Sequence, residues 1–336
     1  MSEKKLLSDD ELTSLLQKGA DDREFAEELF GSFSYAHSLS DKNYSASLDE
    51  GIILLNTFQT LDREAYTKIH KGTPFYWLGT AAFMLHDFQT AVFFYDAAVS
   101  EDLRAGANPI DNSTPALRFL QLDGEAQGQA AKALVEVTQA RVQDLIDQYN
   151  NATGRPKDVP DLTIQNTREY FLRLSVSPKN KSWRTLASAF ISFILEWDYR
   201  NTFLDLRIES GTAEPFFIHL FKGCVLFESL LKANPNHIVP ASKKTLGPIL
   251  QELHKLLNIP NDLKIGNTDF PTIIRELEGA DNSLITAIQF TGRIRNTVGH
   301  NLGWEINITK LEYQKLYFFI AVSCLHAISC LYIPRI

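Results

Sequence analysis

The chain is poor in cysteine: three thiols, Cys224, Cys324 and Cys330, stand in 336 residues, with no Cys-x-x-Cys pair and no histidine cluster near them. That scarcity argues against a disulfide framework and against a structural zinc site. Strand-turn-strand alternation of useful length is also lacking. So are the glycine-rich phosphate loops: neither G-x-x-x-x-G-K nor G-x-G-x-x-G occurs, which argues against a P-loop or a Rossmann enzyme. There is no G-x-S-x-G elbow for a nucleophilic serine. The opening residues, MSEKKLLSDDELTSLL, lack the continuous apolar core of a signal peptide, and the expected location is the cytoplasm.

What is present is the balance of a globular protein, 44% hydrophobic and 22% charged. The length is long for one core and leads one to expect two domains. Charge is divided unevenly. The first 164 residues carry 14 lysines and arginines against 26 aspartates and glutamates, and the rest carry 19 against 15, so the net charge of −8 separates into −12 and +4. An acidic first half is a poor surface for nucleic acid. The second half holds local basic runs (Lys179, Lys181 and Arg184; Lys243 with Lys244), but its excess is too small for an extended coat, so any RNA contact is expected in a local cleft.

Apolar residues recur at helical spacing nearly everywhere, as in Leu134, Val135, Val137, Val142, Leu145 and Ile146, and in Phe217, Leu220, Phe221, Cys224, Phe227, Leu230 and Leu231. The expected fold is therefore all-α: a helical-repeat-like N-terminal region followed by a C-terminal helical bundle. Asparagines, a glycine and two prolines collect in 150–160. The expected organisation is a region 1–150, a linker 151–164 and a domain 165–336. In the second half, helices are expected over 168–174, 183–206, 213–232, 243–257, 273–295 and 311–332. The last is almost wholly apolar from Leu316 to Ile333, close to a bilayer-spanning length, but Ser323, His326 and Ser329 interrupt it. It reads as the central helix of a bundle, with His326 a hydrogen-bonded core histidine and no membrane partner.

Residues 72–103 resemble one tetratricopeptide repeat through Leu78-Gly79 in a first helix and Ala91, Tyr95 and Ala98 in a second. His86 and Ala82 depart from the family's usual residues at their positions. A single repeat cannot bury its own faces, so helices over 47–61 and 114–149 are expected as neighbours. The resemblance implies a partner-binding or regulatory surface; the alternative is a plain helical scaffold.

The pattern richest in chemistry is Arg295-Asn296-Thr297-Val298-Gly299-His300. Arginine is a permanent cation whose planar fork grips two phosphate oxygens, and histidine exchanges a proton near neutral pH. Two positions five apart point about 140° from each other on a regular helix, so Arg295 and His300 converge only if the backbone bends, for which Gly299 gives an opening. With Arg and His separated by four residues and a polar residue after the arginine, Arg295, Asn296 and His300 are similar to the signature of the HEPN superfamily of all-helical domains. The resemblance covers about 165–336. It implies a homodimer whose paired motifs form one cleft, and metal-independent cleavage of RNA without a cofactor. In that reading the 2′-hydroxyl attacks the neighbouring phosphate, His300 is general base or acid, Arg295 stabilises the transition state, and Asn296 orients a phosphate or the imidazole. A defence or stress role, or a toxin silenced by an antitoxin, follows by analogy. The alternative is a non-catalytic interaction or nucleotide-binding module in which Arg295 pairs with Glu305 or Glu228 and His300 donates to a backbone carbonyl.

Overall fold

The computed structural model describes residues 7–109, 114–123, 129–157, 159–175, 183–206, 212–234, 245–256, 263–266, 268–298 and 307–332. Among these the regular structure is helical, with a single isolated bridge between Thr153 and Ser283, so the protein is all-α. It divides into two compact units, residues 1–120 with 125–133 and residues 121–124 with 134–336.

The first unit contains α1 (Asp9–Asp21), α2 (Arg23–Gly31), α3 (Ser34–Ser40), α4 (Tyr44–Leu61), α5 (Arg63–Lys68), α6 (Gly72–Met84), α7 (Phe88–Arg104) and α8 (Pro115–Leu120). Much of its acidity serves helix starts. Asp22, Asp62 and Asp87 accept backbone N–H bonds at the heads of α2, α5 and α7, and Ser8 forms a reciprocal capping box with Glu11 on α1. The 72–103 stretch forms the antiparallel pair α6 and α7. A Cβ on Gly79 would lie 2.8 Å from the Tyr95 ring and 3.2 Å from the Ala91 carbonyl, so glycine is what lets the two helices approach. Tyr95 is fully buried, its hydroxyl 3.3 Å from Thr80 Oγ1. His86 occupies the turn at φ +61°, a left-handed conformation that disfavours a side chain. The 47–61 expectation is met by α4.

The helix expected over 114–149 is two, α8 and α9 (Gln129–Asn150), and the units part inside α9. Residues 134–150, expected with the first region, pack with the second unit because Val135, Val142, Ile146 and Tyr149 are buried there. The segment expected as a linker is tied down as well. Asn150 Nδ2 donates to Leu162 O and its Oδ1 accepts from Leu162 N, at 2.8 and 2.9 Å. Arg155 donates to Asn150 O, Pro160 O and Asp161 Oδ1, and Leu284 N donates to Thr153 O.

The rest of the second unit comprises α10 (Ile164–Ser175), α11 (Trp183–Leu206), α12 (Glu214–Ala233), α13 (Leu246–Leu256), α14 (Phe270–Glu278), α15 (Leu284–Val298) and α16 (Lys310–Ser329), followed by a short 3₁₀ turn. The helix expected over 273–295 is broken into α14 and α15. Asp281 accepts from Ser283 N and from the Thr286 hydroxyl, while Thr286 N donates to Ser283 Oγ, and these local bonds start a new helix after Gly279. α16 touches α10, α11, α12, α14 and α15, and every side chain from Phe319 to Leu331 is buried. It is the central helix, buried all round as its composition requires. No helix among the described residues is long and apolar enough to cross a membrane.

Candidate functional site

α15 turns about 100° per residue, so consecutive side chains of the Arg-Asn-Thr run meet different neighbours. Arg295 points toward α12, where its Nε donates to Glu228 Oε2 at 2.8 Å and its Nη1 donates to Asn296 Oδ1 at 3.2 Å. Asn296 points toward residues 263–266, donating from Nδ2 to Ile265 O at 2.7 Å. Thr297 donates to Thr268 O at 2.6 Å, and Arg293 pairs with Glu276 of α14. One turn earlier, a Cβ on Gly292 would stand 2.8 Å from Ile265 Cγ2, so the absence of a side chain lets the 263–266 segment lie against the helix.

Glu228 is 5% exposed and engages two cations, Oε2 with Arg295 and Oε1 with Lys232 one turn along α12 at 2.5 Å. The Arg295 side chain remains 33% exposed. Glu228, Lys232 and Arg295 together keep one net positive charge, and among the described residues the Arg295 Nη2 edge has no partner. A planar, fixed guanidinium with a free edge can donate to a phosphate or carboxylate oxygen. Asn296 accepts from Arg295 Nη1 and donates to Ile265 O, so in this structure it positions Arg295 and the 263–266 segment. Of the two carboxylates weighed for Arg295, Glu228 is its partner; Glu305 lies outside the described residues. So do Gly299 and His300, and so do Lys179, Lys181, Lys243, Lys244, His237 and the side chain of His254.

A second polar cluster, between α11, α12 and α16, escaped the reading of the sequence. Glu196 accepts from Arg200 Nε and Nη2 at 3.0 and 2.8 Å and from Lys222 Nζ at 2.6 Å, and Arg200 Nη1 donates to Pro215 O. Burial alone would raise the Glu196 carboxyl, but the charge of Lys222 and the bonds from Lys222 and Arg200 help bring it below its ordinary value. One turn from Lys222, His219 Nε2 lies 2.8 Å from Phe193 O, which can only accept, so this nitrogen carries the proton and Nδ1 accepts from the Tyr313 hydroxyl at 2.7 Å. Burial lowers the imidazole to about 3, which keeps it neutral near pH 7 and disqualifies it as a base there. The available signal was the Glu196 and Arg200 pair, four apart on an otherwise apolar helix.

His326 is a buried core residue with Nδ1 3.4 Å from the Tyr149 hydroxyl, which also meets Ser329 Oγ at 2.7 Å. The three cysteines are free and buried. Among the described residues no three histidine, cysteine, aspartate or glutamate side chains gather as a metal cage. No family model matches the chain, and no curated protein and no solved structure is similar enough to count as a match.

Proposed function

We propose that the second unit is a HEPN-like RNA-processing domain, with Arg295 and His300 as the cleaving pair of a metal-independent endoribonuclease. The observation that carries this reading is the setting of Arg295. Its Nε is anchored on a buried carboxylate, its Nη2 edge is uncommitted among the described residues, and the local charge stays positive. Such a group is preorganised for the extra negative charge that develops on a phosphate under attack. His300, five residues on, supplies the imidazole that takes the proton of the 2′-hydroxyl or returns one to the leaving 5′-oxygen. Products carry a 2′,3′-cyclic phosphate and a 5′-hydroxyl, and DNA, lacking the attacking hydroxyl, resists. Two copies of the motif facing each other would supply base and acid separately, so a homodimer belongs to this reading. The first unit, with its tetratricopeptide-like pair, is proposed as the place where a protein regulator acts.

The test is incubation of labelled single-stranded RNA with purified protein in EDTA, beside Arg295→Ala and His300→Ala. Cleavage by wild type with a loss of about 100-fold or more in each variant is expected. Intact RNA in all three, after sedimentation has established dimers, overturns it.

A second reading rests on the same ion pair. Glu228 joins α12 to α15 through Arg295, and Asn296 holds a neighbouring segment, so the run can be a structural fastening of a non-catalytic interaction module. Under that reading Arg295→Ala lowers stability and RNA stays intact with wild type.

A further inference from the structure

Just before α6, in the first unit, two buried polar side chains face each other without a hydrogen bond. His70 and Asp102 are each 10% exposed, with His70 Nε2 3.5 Å from Asp102 Oδ1. Neither ring nitrogen of His70 has a hydrogen-bond partner, although both are shielded from solvent. A neutral imidazole brings one donor and one acceptor, and leaving both unmade in the interior is costly.

The surrounding charges do not resolve this pair. Lys71 Nζ donates to Tyr66 O and Ile69 O, both at 2.7 Å, and faces Glu101 at 3.4 Å. Arg104 donates to Lys68 O and Ile69 O and also pairs with Glu101. On α5, Lys68 pairs with Glu64 on the exposed side, and the Tyr66 ring lies 4.8 Å from Lys71 Nζ. Lys71 and Arg104 therefore share Glu101, and among the described residues His70 alone is placed to answer Asp102. Gly72 makes the approach possible, since a Cβ there would lie 2.6 Å from His70 Cε1 and 2.9 Å from Asp102 Oδ1.

We infer that His70 and Asp102 form a proton-operated latch between the junction of α5 and α6 and the last turns of α7. On taking up a proton, the imidazole has a donor at Nε2 whatever its earlier tautomer. The gap then closes by roughly 0.7 Å to the length of a charge-assisted bond. On losing it, the imidazole keeps a single N–H, the charge assistance to the carboxylate is gone, and the junction loosens. The proton comes from and returns to solvent, and no other bond changes. The latch makes the entry to the α6 and α7 pair respond to proton uptake at His70.

Hydrogen exchange of the full chain, corrected for intrinsic rates, tests this on peptides covering 66–78. Between about pH 7.5 and 5.5, protection of wild type is expected to rise about fivefold, with a flat response in His70→Gln and Asp102→Asn. An equal rise in the variants, or none in wild type, overturns the latch. Should either variant fail to fold, nitrogen-15 spectra of wild-type His70 and carbon-13 spectra of the Asp102 carboxyl decide. The two must respond in one shared step, and independent responses overturn it.

Discussion

At the residue scale, chemistry is set by what surrounds each histidine. His219 is enclosed, hydrogen-bonded at both nitrogens and lowered to about 3 by burial, so it cannot work as a base near neutrality. Its consequence is thermodynamic. Between its ordinary value of 6.5 and the folded value of about 3, the unfolded chain binds the proton and the folded chain does not, so stability falls as pH falls through that interval. Glu196, also lowered, adds to the loss only below its ordinary value of 4.5. From pH 6.5 down to 4.5 the slope assigned to His219 is at most about 1.4 kcal/mol per unit. Urea unfolding of wild type and His219→Gln across that range is expected to show this slope in wild type and a shallower one in the variant. Parallel slopes would remove His219 as the cause.

At the element scale, close helix crossings depend on missing side chains. A Cβ on Gly223 would sit 2.5 Å from Phe193 Cε2 and 2.6 Å from Ile320 Cγ2, so α12 meets α11 and α16 there with no room for a methyl. Gly223→Ala is expected to lower the stability of the second unit by about 1–3 kcal/mol, read from its thermal or denaturant midpoint. Gly279 is the contrast: it follows α14 at φ −89° and nothing lies within 4 Å of its Cβ position. Gly279→Ala is expected to be neutral or to stabilise by up to about 1 kcal/mol. Equal effects at both positions would contradict this account of the crossing. Most helices were legible because apolar periodicity and caps are local, as with 183–206, matched by α11 to the residue. The break at Gly279 was not, because the periodicity continues across it and only the bonds around Asp281 mark the restart.

At the scale of the whole molecule, the two units part near residues 120 and 134 and not at the proline- and asparagine-rich stretch. Composition suggested a linker between domains, while Asn150, Arg155 and the Tyr149 contact with Ser329 fix that stretch to the second unit. A fragment 121–336 is expected to melt cooperatively with a native near-ultraviolet dichroism spectrum. A fragment 165–336, which uncovers the surface under α9, is expected to lose both. If the shorter fragment folds as well, α9 is dispensable and the boundary belongs at 150. The charge split leaves the candidate phosphate-facing group, Arg295, in the basic half.

The sequence by itself determined the all-α class, the position of most helices, the central role of α16 and the prominence of the Arg295 run, because periodicity and residue chemistry are carried by neighbours in the chain. Tertiary structure decided which groups meet. Glu228 and Arg295 are 67 residues apart, and His219 and Tyr313 are 94 apart. Such pairings follow from how helices cross, where a glycine permits approach and where burial leaves a polar atom only one partner. No local pattern encodes that geometry, so the anchoring of Arg295, the silencing of His219 and the meeting of His70 with Asp102 emerge only when the helices are packed.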